Sequence, residues 1–200
     1  MYLISSEISY IFVTFWFLDF LRPLPIDCRT LITDLDGDAN ITLSIFGIFK
    51  PVEHVPYDAT KIHLADKSID ACISTNTLEH IPKFDIILIF AELYRKLKDE
   101  GIVSLIIDYS DHYAHTDNNI SLLNFLKYSQ HQWKRYNHKI HFQNRLRHYE
   151  YIAIFEKIGF RTIKEDLFYV EKNIPSMILD SYKNQNPSWK ATSAHIILKK

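Results

Sequence analysis

Apolar and polar residues alternate in blocks along this chain, and the period changes from block to block. The first block, Ile8 to Leu18, is apolar almost without break. It falls short of the roughly 20 residues a membrane-spanning helix needs, and Glu7 and Asp19 bracket it. No basic segment precedes it and no small-residue cleavage site follows. It reads as a buried strand or helix, and no stable membrane insertion is expected.

Pro23 and Pro25 then interrupt the chain. Arg29 to Leu35 is short, β-branched and apolar, and it runs into Asp34, Asp36, Gly37 and Asp38, the pattern of a strand ending in a loop. Residues 39–50 suggest a short helix. Ile69 to Ser74 is a second strand. Pro82 suits the first turn of a helix, and from Phe84 to Leu97 apolar residues fall at 86, 90, 93 and 97 and again at 84, 88 and 91, one wide helical face. Gly101 follows where a helix would stop on a left-handed residue. Ile102 to Tyr109 is a continuous apolar strand of the kind buried inside a parallel sheet. Residues 119–136 look helical. "HYEYIAIFEKIGF" is an amphipathic helix closed by Gly159, "FRTIKEDLFYV" a strand, 174–183 a helix and "SAHIILKK" a last strand. This order predicts an α/β, Rossmann-like three-layer sandwich with a mostly parallel sheet and an antiparallel C-terminal edge strand. One domain over residues 1–200 is expected, with 1–28 a degenerate or incomplete opening.

Charge narrows the partners. Acidic residues number 24 against 23 basic ones, so there is no basic excess to hold a nucleic-acid backbone, and no nucleic-acid partner is expected. Cys28 and Cys72 give no disulfide framework, and Cys72 falls within an apolar strand as an inert thiol; a reducing, cytoplasmic setting follows. The oligomeric state, a homodimer included, stays open.

Candidate chemistry gathers where strands stop. Asp19, Asp34 and Asp58 stand at such ends, and Asn76, Glu79 and His80 at another. Carboxylates at the strand ends of an open α/β sheet hold ribose hydroxyls or adenine; taken singly, an Asp in a loop more often just builds a turn. Asp111 and His112 follow the strand ending at Tyr109. There His112 is the candidate general base, with Asp111 orienting it, and His80 a second candidate. Arg145 and Arg147 could clamp an anionic or polyhydroxylated substrate, or merely form ion pairs at a helix start. His112 and His115, and His138 and His141, have the spacing of metal-ligand pairs but no converging cysteines, and no metal is expected.

The run "YDATKIHLADKSIDACISTNTLEHIPKFDIILIFAELYRKLKDEGIVSLIID" resembles the middle of a class I S-adenosylmethionine-dependent methyltransferase, of the type 11 kind. Asp58-Ala59, Ile69-Asp70, Leu78-Glu79-His80, Arg95 to Lys98 and Gly101 match in order and spacing. The resemblance implies S-adenosylmethionine as cofactor. It places the adenine amino group on Asp58 with Ala59 behind the ring, the ribose on Asp34, and the methionine part near Asn76, Glu79 and His80. Asp19 takes the acidic position of the family's opening motif, but Phe20 and Leu21 stand where the family has glycine. The later segment, from Asp111 to Phe160, is similar to methyltransferases of glycan pathways, which implies a small-molecule or glycan acceptor. The glycine-poor opening supports an alternative: a methyltransferase-like module that binds a partner protein without catalysis.

Overall fold

The computed structural model describes residues 30–31, 59–62, 64–169 and 174–200. Asp19, Phe20, Cys28, Asp34, Asp58, the apolar run at 8–18 and the helix suggested at 39–50 lie outside the described residues. Among the described residues five strands form one sheet: β1 (Thr30–Leu31), β2 (Ile69–Thr75), β3 (Leu97–Asp108), β4 (Arg161–Tyr169) and β5 (Ala191–Lys199), in the order β1-β2-β3-β5-β4. The pairs β1–β2 and β2–β3 are parallel, whereas β5 is antiparallel to both β3 and β4. Among the described strands only β5 therefore runs against the rest, and the sheet is mostly parallel. Four helices are described: α1 (Lys83–Lys96), α2 (Gln130–Trp133), α3 (His148–Ile158) and α4 (Ser176–Tyr182).

The final strand is antiparallel, as its sequence position suggests, but it lies one place inside the edge. Ala194 to Leu198 are buried without interruption, and such a run needs cover on both faces and a partner on each side. The edge falls to β4, whose Arg161, Lys164 and Glu165 are exposed, the charged composition that discourages further pairing.

Across β3 and β5 the register opposes Val103 to Leu198, Leu105 to Ile196 and Ile107 to Ala194. These residues form one core with Ile86, Phe90 and Leu93 of α1 and Tyr151, Ile154 and Phe155 of α3. The Phe90 ring lies 4.5 Å from that of Phe155 and 6.0 Å from that of Phe160. Each such side chain stabilises the fold by roughly 1.5–3 kcal/mol. Gly159 closes α3 at φ 122°, and a Cβ there would stand 3.0 Å from the Tyr94 ring of α1, so both conformation and space demand glycine.

Two expectations change. Gly101 does not end a helix: α1 stops at Lys96, and the chain enters β3 directly through an extended Leu97. Gly101 lies within β3, where the register against β2 jumps from Ile69↔Leu97 to Ala71↔Ile102. A Cβ there would be 2.9 Å from the Lys98 carbonyl oxygen, so the glycine lets the bulge fold back on itself. Residues 119–136 are not one helix but a tight turn at Asn124–Lys127 followed by α2. Tyr128 between them is extended, and Ser129 and Gln132 form a reciprocal capping box that starts α2 afresh. The apolar pattern there marks burial rather than helix: Leu123, Phe125, Leu126 and Trp133 build a second core with Ile178 and Trp189.

Candidate active site

The carboxyl ends of β2 and β3 lie side by side, paired through Thr75 and Ile106. After Thr75 the chain turns through Asn76 in the left-handed region, φ 46°, which asparagine enters more readily than most residues. Its N–H donates to the Ile106 carbonyl at 2.8 Å. The single turn Leu78–His80 follows. Leu78 is buried in the main core, Glu79 is also buried, and His80 reaches the surface. From the end of β3 come Asp108 and then the loop that carries Ser110, Asp111, His112 and His115.

Glu79, His80 and His112 each bring a donor atom to within 4.8 Å of the other two. The His80 and His112 rings are 4.9 Å apart, centroid to centroid. The Nε2 atoms of His112 and His115 each lie 3.6 Å from Asp108 Oδ2, and Asp108 Oδ1 accepts the Ser110 N–H at 2.7 Å. His115 Nε2 also lies 2.8 Å from Ser110 Oγ.

A strap of three residues locks the two halves together. His80 Nδ1 lies 2.9 Å from the Phe142 carbonyl oxygen; a carbonyl only accepts, so Nδ1 carries the proton and Nε2 is left with its lone pair. The buried Gln143 accepts the His112 N–H at 3.3 Å and donates to the Ser110 carbonyl. The Asn144 side chain donates to the Leu78 and Ile81 carbonyls at 2.7 and 2.8 Å, and its own N–H donates to the Glu79 carbonyl at 2.7 Å. The turn carrying Glu79 and His80 and the loop carrying His112 are thus held by consecutive residues.

The electrostatics are uneven. Neither carboxyl oxygen of Glu79, nor His112 Nε2, nor the buried Ser74 Oγ on β2, has a hydrogen-bond partner among the described residues. Burial raises the Glu79 carboxyl well above the ordinary carboxylate range; nearby backbone N–H groups temper the rise and the Asp108 charge adds to it. Burial would raise Asp108 too, but His112 and Ser110 outweigh it and hold that carboxyl below its usual value. His80 is lowered, chiefly by desolvation, against the pull of the Phe142 carbonyl.

Of the expected site residues, the structure brings Asn76, Glu79, His80 and His112 to one place. Ala59 lies half-buried in a turn before β2. Asp111 does not orient His112: its Oδ1 accepts the Tyr113 N–H at 3.0 Å and its Oδ2 an Asn124 side-chain N–H at 3.1 Å, so it caps its own turn. The carboxylate beside His112 is Asp108. Both arginines are already engaged by the chain itself. Arg147 is buried and donates to the carbonyls of Tyr109, Trp189 and Ala191. Arg145 donates to the carbonyls of Phe125 and Tyr128 and to the Gln130 side chain. Asp108 could have been singled out as the acid closing "SLIID"; Gln143 and Asn144 carry no local signal.

Residues 33–105 match the methyltransferase domain family, a stretch that includes β2, Glu79, His80, α1 and most of β3. No curated protein matches the sequence. The fold is similar to a protein of Pyrococcus horikoshii, with TM-score 0.59 and 12% identity over 98% of this chain and 92% of that one. A SAM-dependent methyltransferase from Archaeoglobus fulgidus gives 0.53 and 17%, over 97% and 100%. An S-adenosylmethionine-dependent methyltransferase from Mesorhizobium loti gives 0.52 and 10%, over 84% and 78%. The matched segment, little more than a third of the chain, is similar to the methyltransferase domain family, and the fold is the Rossmann-like fold of these S-adenosylmethionine-dependent methyltransferases.

Proposed function

We propose that this protein transfers a methyl group from S-adenosylmethionine to an oxygen of a small molecule or a sugar or glycan precursor. When bound, the cofactor supplies a methyl group made electrophilic by a sulfonium. The described residues fit its methionine side: Ser74 Oγ and the Glu79 carboxyl are buried at the strand end without a hydrogen-bond partner among those residues, as groups awaiting a polar ligand are, and Asp108, whose carboxyl is held low, gives that wall the sign that suits a cation. On this reading Asn76, Glu79 and His80 line the methionine end, Asp34 takes the ribose, Asp58 and Ala59 the adenine, and Asp19 the acidic place in the opening motif, all within one domain spanning residues 1–200.

The observation that carries the reading is the His112 ring. Its Nε2 is buried and has no hydrogen-bond partner among the described residues, with Asp108 Oδ2 3.6 Å away, and it lies beside the turn that would hold the methionine end. His112 accepts the proton of the acceptor hydroxyl, and Asp108 stabilises the imidazolium that results. Positioning and a base of this kind contribute roughly 10²–10⁴-fold for the proton transfer alone. Titration calorimetry with S-adenosylhomocysteine tests the first step. Binding in the micromolar to millimolar range is expected, weakened by Asp58→Ala. No heat and no thermal shift at millimolar ligand would overturn the reading.

A further inference from the structure

We infer that Glu79, His80 and His112 form a binding site for one divalent transition-metal ion, with Asp108 as a further carboxylate at its rim. Three observations meet there. The donor atoms of the three side chains already converge within 4.8 Å from two different elements. Ligands around a tetrahedral ion at about 2.0–2.1 Å stand roughly 3.4 Å apart, so closure needs side-chain rotation of about an ångström. The surface position of His80 leaves room for that. Second, Glu79 is 2% exposed, and neither of its oxygens nor the buried His112 Nε2 has a hydrogen-bond partner among the described residues. Bare buried polar atoms are costly, and here two side chains leave them pointing into one cluster. Third, the second shell is built. His80 gives its Nδ1–H to a backbone carbonyl, which fixes the tautomer with Nε2 free, as in ligating histidines generally. Gln143 holds the His112 backbone, and Asn144 holds the turn under Glu79.

The donor set names the class of ion. Two imidazoles and a carboxylate suit zinc, iron(II) or cobalt(II), whereas magnesium and calcium take oxygen ligands. Asp108, 3.6 Å from His112 Nε2, stands where a fourth ligand or a ligand-orienting acid would. With Glu79 inside and His80 at the surface, the ion has protein on one side and solvent on the other, as a site open to a substrate oxygen requires. The pairs that looked like ligand motifs in the sequence do not form it. His112 contributes without His115, and its partners come from the β2 turn. The ion's use rests on methyl transfer as proposed above, with one role exchanged: with the ion bound, His112 would be its ligand rather than the base, and the ion would lower the acceptor hydroxyl's pKa so that the proton leaves to solvent.

The test uses the full chain stripped with a chelator. Cobalt(II) titration should give one equivalent of ligand-field absorption, abolished by zinc but not by millimolar magnesium. Glu79→Gln and His112→Gln should each weaken cobalt affinity by at least about tenfold, with near-ultraviolet circular dichroism showing a retained fold. His131→Ala, a surface histidine on α2, should leave it unchanged. Absence of stoichiometric cobalt absorption in folded protein overturns the site, as does equal affinity in all three variants. S-adenosylhomocysteine binding measured on the metal-free preparation separates the two readings. A protein that binds the nucleoside but takes up no cobalt sinks only the metal site, and one that takes up cobalt but binds no nucleoside sinks only the methyl-transfer function.

Discussion

Arg147 and Glu79 are buried to almost the same depth, 1% and 2% exposed, and the fold surrounds them in opposite ways. Every arm of the Arg147 guanidinium donates to a backbone carbonyl, Trp189 through Nε, Tyr109 through Nη1 and Ala191 through Nη2, and the Tyr109 and Phe125 rings lie 5.5 and 5.9 Å away. Burial lowers its pKa to about 10, which still leaves it charged at neutral pH. Glu79 has a comparable burial and, among the described residues, no hydrogen-bond partner for either oxygen. A buried charge that is satisfied holds structure together; one left bare weakens the fold and is retained where a ligand needs it. Arg147 ties the β3 end to the segment entering β5, and Glu79 waits at the site.

The largest effect expected from that contrast is at Arg147. Arg147→Met removes the donors and strands three buried carbonyls, which should destabilise the protein by about 3–5 kcal/mol, a fall in Tm on the order of 10 °C. Arg147→Lys should recover only part, because an ammonium cannot reach three divergent acceptors in the guanidinium plane. Urea denaturation reads both. A substrate clamp would behave otherwise, with stability kept and only ligand affinity lost.

Next in size, and opposite in sign, is Glu79→Gln. The Glu79 carboxyl is raised in the folded state, so the stability it allows is fully present below the unfolded pKa near 4.3 and is lost as pH climbs toward the folded value. The variant cannot ionise. It should be more stable than the native protein at pH 7 by about 1–2 kcal/mol, equal to it near pH 4, and less steep between. Thermal melts across pH 4–8 measure this. A variant that melts lower at pH 7 than at pH 4 with the native slope would show that Glu79 is satisfied after all.

The two residues also differ in how far the sequence betrays them. Glu79 and His80 could be picked out because they follow an apolar strand and precede a proline-started helix, a local pattern whose meaning is positional: such residues sit at a strand's carboxyl end. His112 obeys the same positional rule, just past the end of β3. Arg147 stood out as a cation before a helix, yet nothing nearby reveals that Tyr109, Trp189 and Ala191 will enclose it, since those carbonyls come from other strands and a turn. Asp111 and Asp108 show the limit most closely. Both are acids within a short reach of His112, and the sequence favoured the adjacent one. Backbone geometry decided otherwise: at the first place of a tight turn, an aspartate turns back to its own N–H groups. The strap at Phe142–Asn144 was invisible because its bonds span more than sixty positions to His80, Leu78 and Ile81. The mostly parallel sheet and the antiparallel sense of the last strand were legible; the inner place of β5 follows from burial on both faces rather than from chain order.

The smallest predicted effect separates the two aspartates, which repeat in miniature the contrast between Arg147 and Glu79. Asp111 is fully buried with both oxygens engaged, so its charge is not needed for what it does; an acceptor at Oδ1 is. Asp111→Asn keeps that acceptor for the Tyr113 N–H, and the Asn124 amide can rotate to offer its oxygen to the new donor. The cost should be only a few tenths of a kcal/mol, with hydrogen exchange at the Tyr113 amide nearly unchanged. Asp111→Ala removes the cap and should cost about 0.5–2 kcal/mol, with faster exchange at that amide. Asp108→Asn should leave the Tyr113 amide alone and act on the acid side. Its carboxyl is held low, so the stability it contributes is present above the unfolded pKa near 3.9 and lost as pH falls through the folded value; the variant should lack that loss. If Asp111→Asn instead matched Asp111→Ala at the Tyr113 amide, the charge itself would be needed at that turn, and the division between a carboxylate that builds the loop and one that serves His112 would have to be redrawn.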